Sequence, residues 1–234
     1  MANYPNVLDV FSANEYYQEM AERNLSSAKS FARMAESEIE DDFPLLRSHA
    51  VVGIWGALES MIEDVVIAWM DHDPSVLKDP KIAKIRIPFV EFQRLEQQDQ
   101  LRFLVSELQR DLGTDFKSGS TKFEPLLGVV GLGGRIDRRV KDVLFEAQNL
   151  RNVVAHRGGI ADRRFVANCP HLNYSIGDKI KIGDASYTQI SNGLVTYAMT
   201  ILNRCSMIEG IELFGDDLPG FEGAFSFQDR EDGT

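Results

Sequence analysis

The chain has 234 residues, 44% of them hydrophobic and 26% charged, and a formal net charge of −11. It is long enough to bury a substantial core and has the balance of an ordinary globular protein. That charge excludes a protein that coats nucleic acid through bulk positive charge.

Two cysteines, Cys169 and Cys205, are too few for a disulfide framework and lack metal-type spacing. The opening Met1-Ala2-Asn3-Tyr4-Pro5 has neither a basic start nor an apolar run, so no signal peptide is expected. Residues 51–70 are the most apolar stretch, yet they include Glu59, Glu63 and Asp64, which a bilayer tolerates poorly. The expected location is the cytoplasm, with no membrane partner.

In chain order, Ser12-Ala-Asn-Glu15 reads as a capping box opening a first helix, whose apolar face is Tyr17, Ala21, Leu25, Ala28, Ala32, Ala35 and Ile39. Acidic residues from Glu36 to Asp42, then Pro44, close it. The second helix is read from Val51, Trp55, Leu58, Ile62, Val65 and Trp69, with Val52, Ile54, Met61 and Val66 widening the stripe as befits a central helix. Residues 75–93 are ambiguous: Ile85, Ile87 and Phe89 alternate like a strand, which Pro88 confines to an edge or loop. A third helix is expected over 94–112, ending at Gly113. Thr121-Lys-Phe-Glu124 opens a short one, and Gly128, Gly131, Gly133 and Gly134 break the chain. The next long helix carries Ile136, Val140, Val143, Ala147, Leu150 and Val154 as its core stripe and stops at Gly158-Gly159. Residues 163–183 read as non-helical, with a turn at Gly177-Asp178 inside a small hairpin or loop excursion. A last helix is expected from Ser186 through Ile190, Leu194, Tyr197, Ile201 and Ile208. The fold class that follows is mostly α: a helical bundle, with one domain over 1–214 and a loosely held acidic, Gly-rich tail over 215–234.

Charge is distributed unevenly along this framework. Residues 209–234 hold eight acids against Arg230 alone, whereas residues 134–165 hold eight bases against four acids. The basic window is either a solvated helix face or a patch that steers a polyanion. It contains the one segment with recognisable chemistry, Arg151-Asn152-Val153-Val154-Ala155-His156. A second stripe of the same helix, Phe145, Gln148, Asn149, Asn152 and His156, gathers amides beside an imidazole. At about 100° per residue, Asn152 and His156 lie about 40° apart, while Arg151 sits about 140° from His156, on the flank. An Arg and a His in the last turn before glycine also serve simply to finish a helix. Their other use is RNA cleavage without a metal. The 2′-hydroxyl is then the nucleophile, so the protein needs a proton-transfer group near neutral pH and a cation for the charge on phosphorus. Arg151 and His156 fit those roles, with Asn152 to orient the ring or hold a phosphate oxygen.

These positions match the R-N-x-x-x-H motif, and the segment resembles that of the HEPN superfamily, most closely its RiboL-PSP-like and related bacterial branches. The likeness spans roughly residues 45–210 and rests on residues 147–180, with His156-Arg-Gly-Gly-Ile-Ala-Asp-Arg-Arg-Phe165 continuing it. It implies a helical bundle and a metal-independent endoribonuclease without cofactor. RNA would be the substrate, a homodimer would place both motifs on one cleft, and an antitoxin or defence-system partner would accompany a toxin or phage-defence effector. Catalysis would fall to Arg151, Asn152 and His156, and substrate binding to Arg157, Asn149, Arg138 and Arg139. The alternative is a non-catalytic HEPN-like dimer that binds a nucleotide or a protein.

Other motifs read as structure. Gly131-Leu-Gly133-Gly134 lacks the strand and βαβ unit of a dinucleotide loop. Asp71-His72-Asp73 reads as a solvated turn rather than a metal site, and His49 and His171 are isolated. Glu59 and Glu63, one helical turn apart, read by default as helix-surface charges; the alternatives are that they border the cleft or that they pair with Arg151.

Overall fold

The computed structural model describes residues 15–113 and 118–211, so the expected capping box before Glu15 and the tail over 215–234 fall outside the described residues. The described chain is predominantly helical: α1 (Glu15–Glu40), α2 (Pro44–His72), α3 (Phe89–Phe92), α4 (Gln97–Asp111), α5 (Ser120–Val129), α6 (Arg138–Arg157), α7 (Arg163–Asn168) and α8 (Asp184–Ile208). No strand forms among the described residues, and none of their helices is long and apolar enough to cross a membrane. The mostly-α bundle read from the sequence is what is found.

The chain divides into two compact units, Met1–Leu46 and Arg47–Thr234. In the first, α1 buries none of its residues, so its predicted apolar face lies open along Leu25 and Ile39. The unit ends in a tight reversal. Asp42 and Phe43 take φ of 61° and 58°, Leu45 N donates to Glu38 Oε2 at 2.9 Å, and Pro44 opens α2, where its missing N–H costs nothing.

The second unit holds the core. Along α2, Val51, Trp55, Leu58, Ile62, Val66 and Met70 are buried, whereas the predicted Val65 and Trp69 are only half-buried. The predicted steps average about 3.6 residues and so keep to one side of the helix, whereas at about 100° per residue Met70 stands about 100° round from Val51. The buried face of α2 itself turns along its length, toward Val66 and Met70. In α6, Val153 rather than the predicted Val154 is in the core. Leu101, Leu104, Val105 and Leu108 of α4, Phe123, Leu126 and Leu127 of α5, and Ile190, Leu194, Tyr197 and Ile201 of α8 complete the cluster. Both cysteines are free.

The strand-like alternation at Ile85 and Ile87 is an extended link between a 3₁₀ turn at Ile82–Lys84 and α3. Gly128 lies inside α5 rather than breaking it, whereas Gly131, Gly133 and Gly134 form a loop, as expected. That loop folds close to the helix, where a Cβ at Gly133 would stand 2.8 Å from Gly128 Cα. Arg204 of α8 fastens this loop. Its Nη1 donates to Glu124 Oε1 at 3.0 Å and to the Leu132 carbonyl at 3.0 Å, and its Nη2 donates to the Arg135 carbonyl at 3.1 Å. Tyr197 donates to the same Glu124 carboxylate at 2.8 Å. Burial, then the Glu124 charge, push the Tyr197 phenol far above the usual tyrosine range.

The structure corrects the reading of residues 163–183, which include α7 and a 3₁₀ turn at Pro170–Leu172. Asp162 caps α7 by accepting from Phe165 N at 2.8 Å, and Phe165 is buried. The Gly177-Asp178 turn is present, but of the two forms expected the excursion takes the loop form. Ala161 N donates to the Asp178 carbonyl at 2.8 Å, and Ile180 N donates to the Gly159 carbonyl at 2.8 Å. The turn thus pairs with the segment just after α6, leaving only an isolated antiparallel bridge between Ile160 and Lys179.

Candidate functional site

The site forms where α6 ends. Asp137 starts this helix by accepting from Arg139 N at 2.7 Å, and Gly158 ends it with φ of 60°, a left-handed conformation that glycine adopts without a Cβ clash. Burial of Leu144, Ala147, Leu150 and Val153 fixes the helix's rotation. That rotation leaves Arg151 and Asn152 half-buried and His156 exposed.

Arg151 leaves the helix on the flank, as its angular position requires. Its length brings the guanidinium back across the last turn. Nη1 lies 3.3 Å from His156 Nε2 and donates to Asn152 Oδ1 at 3.2 Å. The contact is a hydrogen bond in the tautomer that carries the His156 proton on Nδ1. Three side chains placed apart by helical geometry converge on one point, and Nε2 of the imidazole faces the cation.

On one side of this point lies a recess of about 310 Å³, lined by Asn152, His156, Arg157 and Arg164 over a floor of Val153 and Phe165. Arg157 Nε is 3.6 Å from Asp162 Oδ2. Arg164 and Asp162 did not stand out in the sequence as site residues. Arg164 was visible only as one of the eight bases of the 134–165 window, and Asp162 only as an aspartate three residues before Phe165, the mark of a helix cap. α7 and the turn after it are clasped to α6 by Asn168 Nδ2 donating to Asn149 Oδ1 at 2.8 Å and by His171 Nε2 meeting Glu146 Oε2 at 2.8 Å. Burial, with the Glu146 charge behind it, raises the Cys169 thiol here to about 11, which keeps it protonated and unreactive at neutral pH.

The second-stripe amides that suggested a binding face are engaged within the chain. Asn149 borders the recess, but its Nδ2 donates to the Phe145 carbonyl at 2.8 Å while its Oδ1 takes the Asn168 bond. Gln148 Oε1 accepts from Gly119 N. Arg138 and Arg139 lie in the first turn of α6, about 27 Å along the axis from His156 at 1.5 Å per residue. The basic window is thus split between the two ends of one helix, and only Arg157 and Arg164 join the motif at the recess.

On the Arg151 side, Glu59 of α2 stands with Oε2 3.8 Å from Arg151 Nη2. Glu59 Oε1 accepts from Lys122 Nζ of α5 at 2.5 Å. Of the two readings open for Glu59, pairing with Arg151 is the one found. Among the described residues, no group of three or more His, Cys, Asp or Glu side chains is placed to hold a metal ion. Comparison of the chain with protein-family models, with curated proteins and with solved structures finds no match.

Proposed function

We propose that the chain is a metal-independent endoribonuclease of the HEPN type, working as a homodimer. The observation that supports this most is the meeting of Arg151 Nη1 with His156 Nε2 at 3.3 Å and with Asn152 Oδ1 at 3.2 Å. It sets a base nitrogen and a guanidinium within reach of one phosphate, beside a recess with two further arginines. In the proposed reaction, the incoming phosphate draws the Arg151 N–H away from His156 Nε2, and the freed nitrogen takes the proton of the RNA 2′-hydroxyl as that oxygen bonds to phosphorus. Arg151 carries the negative charge gathering on the non-bridging oxygens, and Asn152 keeps the guanidinium in line. The bond from phosphorus to the 5′-oxygen breaks, leaving a 2′,3′-cyclic phosphate and, after protonation, a 5′-hydroxyl.

In-line displacement puts the entering and leaving oxygens on opposite sides of phosphorus. One imidazole does not reach both, so a second copy of the motif across the cleft is the natural source of the second proton transfer. The test is incubation with total RNA in excess chelator, followed by mapping of the ends. Fragments with cyclic phosphate and 5′-hydroxyl ends are expected, and cleavage that stops in chelator and returns with magnesium overturns the mechanism.

One observation favours the rival reading, a non-catalytic dimeric module that binds a nucleotide or protein. Glu59 gives Arg151 an anionic neighbour before any phosphate arrives. On that reading, purified protein leaves all RNA intact.

A further inference from the structure

On α6 itself, Asn152 Oδ1 accepts from the Arg151 guanidinium at 3.2 Å, and one such bond does little to fix so long a side chain against His156. Arg151 and His156 leave the helix about 140° apart, and an arginine on a flank has many rotamers that extend into water. What stands behind the guanidinium is Glu59, whose two carboxylate oxygens are divided between two cations: Oε1 to Lys122 Nζ at 2.5 Å and Oε2 to Arg151 Nη2 at 3.8 Å. The side chains of Glu59, Lys122 and Arg151 are 26%, 23% and 30% exposed. With Glu63 and Gln109 they line a recess of about 240 Å³ that also includes Ile62, Phe123 and Leu126. Partial burial of the three charged side chains strengthens interactions that open water would weaken.

The two distances differ in a useful way. Lys122 is within hydrogen-bond range of Glu59 and fixes the carboxylate in place. Arg151 is beyond that range yet inside Coulomb reach, so Glu59 attracts the guanidinium without using up its N–H donors. The opposite edge, through Nη1, is the one that meets His156 and Asn152. Residues from α5, α2 and α6 thus form one line, Lys122–Glu59–Arg151–His156.

We propose that Glu59 is a positioning residue. Anchored by Lys122, it holds Arg151 in the rotamer that faces His156, and it leaves guanidinium donors for a phosphate. The kinetic consequence rests on the ribonuclease reading above, whereas the geometric one does not.

The test uses the full chain with Glu59→Gln, Glu59→Asp and Lys122→Met, and with Arg151→Ala as the reference for a lost guanidinium. The first readout is the ring ¹⁵N signals of His156 at one fixed pH, identified by their absence in His156→Ala. Glu59→Gln is expected to move them most of the way toward their Arg151→Ala positions. Lys122→Met should move them part of the way, and Glu59→Asp should keep them near wild type. The second readout is RNA cleavage. Glu59→Gln should lower kcat by about tenfold to a hundredfold, the usual cost of a misplaced group, with KM little changed and partial recovery in Glu59→Asp. His156 signals that stay at wild-type positions in both Glu59→Gln and Lys122→Met overturn the proposal. So does a rise in cleavage in Glu59→Gln, which would make Glu59 a competitor of the phosphate. If wild type cleaves no RNA, the ribonuclease reading fails, and the His156 signals still decide whether Glu59 positions Arg151.

Discussion

The motif helix is held in place chiefly by α8, and at Gly193 that contact leaves no room for a side chain. A Cβ there would overlap Val143 Cγ1 and stand 3.0 Å from Val143 Cβ, where carbon atoms normally rest about 3.5–4.0 Å apart. Valine in a helix has one strongly preferred rotamer, and rotation would not move its Cβ in any case. Gly193→Ala therefore forces α6 and α8 apart. Overpacking of this kind costs about 1–3 kcal/mol, against which Ala returns about 1 kcal/mol of helix propensity over Gly. The net loss is set at about 1–2 kcal/mol because the clash reaches an atom fixed to the backbone. For a chain of this size that lowers Tm by about 2–8 °C. Gly53→Ala is the control: it lies exposed in α2 with nothing within 4 Å of its Cβ position, and should gain about 0.5–1 kcal/mol. Urea melts of wild type, Gly193→Ala, Val143→Ala, their pair and Gly53→Ala decide the matter. The pair should be less destabilised than the sum of its singles, because the second substitution removes the Cγ1 part of the clash and leaves only the 3.0 Å Cβ contact. A Gly193→Ala protein as stable as wild type would refute the packing argument.

Two further stability predictions follow from the surroundings of the site. Tyr197 holds its proton far above the usual range through burial and the Glu124 charge, so the unfolded chain, with a phenol near about 10, loses that proton first. Its contribution is complete below about pH 10 and is lost as pH rises beyond it, by about 1.4 kcal/mol per unit. Urea midpoints should therefore fall more steeply above pH 10 in wild type than in Tyr197→Phe, and parallel curves would contradict this. Asp162→Ala removes the cap of α7 and should cost about 0.5–2 kcal/mol. Amide exchange should rise first at Phe165 and its neighbours, and unchanged protection there would count against the cap.

What was legible in the sequence was whatever repeats with the helical period. The wide stripe of α2, the stop at Gly158 and the core positions of α8 could all be read because many residues report each one. The ends of the stripes could not, since which side of a helix end is covered depends on its tertiary neighbours, and these bury Val66 and Met70 rather than Val65 and Trp69, and Val153 rather than Val154. α7 was missed because six residues give no period and its evidence is a single capping aspartate. The arginine, asparagine and histidine of the site were visible as a spacing, but their meeting depends on how far Arg151 reaches back, which a wheel of Cα directions does not record. The other partners of the site come from tertiary structure. Glu59 and Lys122 lie 63 residues apart in the chain, and nothing local to either one shows that both converge on Arg151. The amide stripe was likewise visible only as a spacing, and the bonds of Gln148 to Gly119 N and of Asn149 to Asn168 are tertiary contacts that a wheel does not record.

The most direct measurement of the central claim is RNA cleavage in chelator by Arg151→Ala, by His156→Ala and by the double variant, alongside their melting temperatures. Each single substitution should nearly abolish cleavage while Tm changes little, because His156 is exposed and Arg151 lies outside the hydrophobic core. The double variant should be scarcely worse than either one, since two groups acting on one phosphate fail together. Cleavage by His156→Ala at the wild-type rate would contradict the assignment.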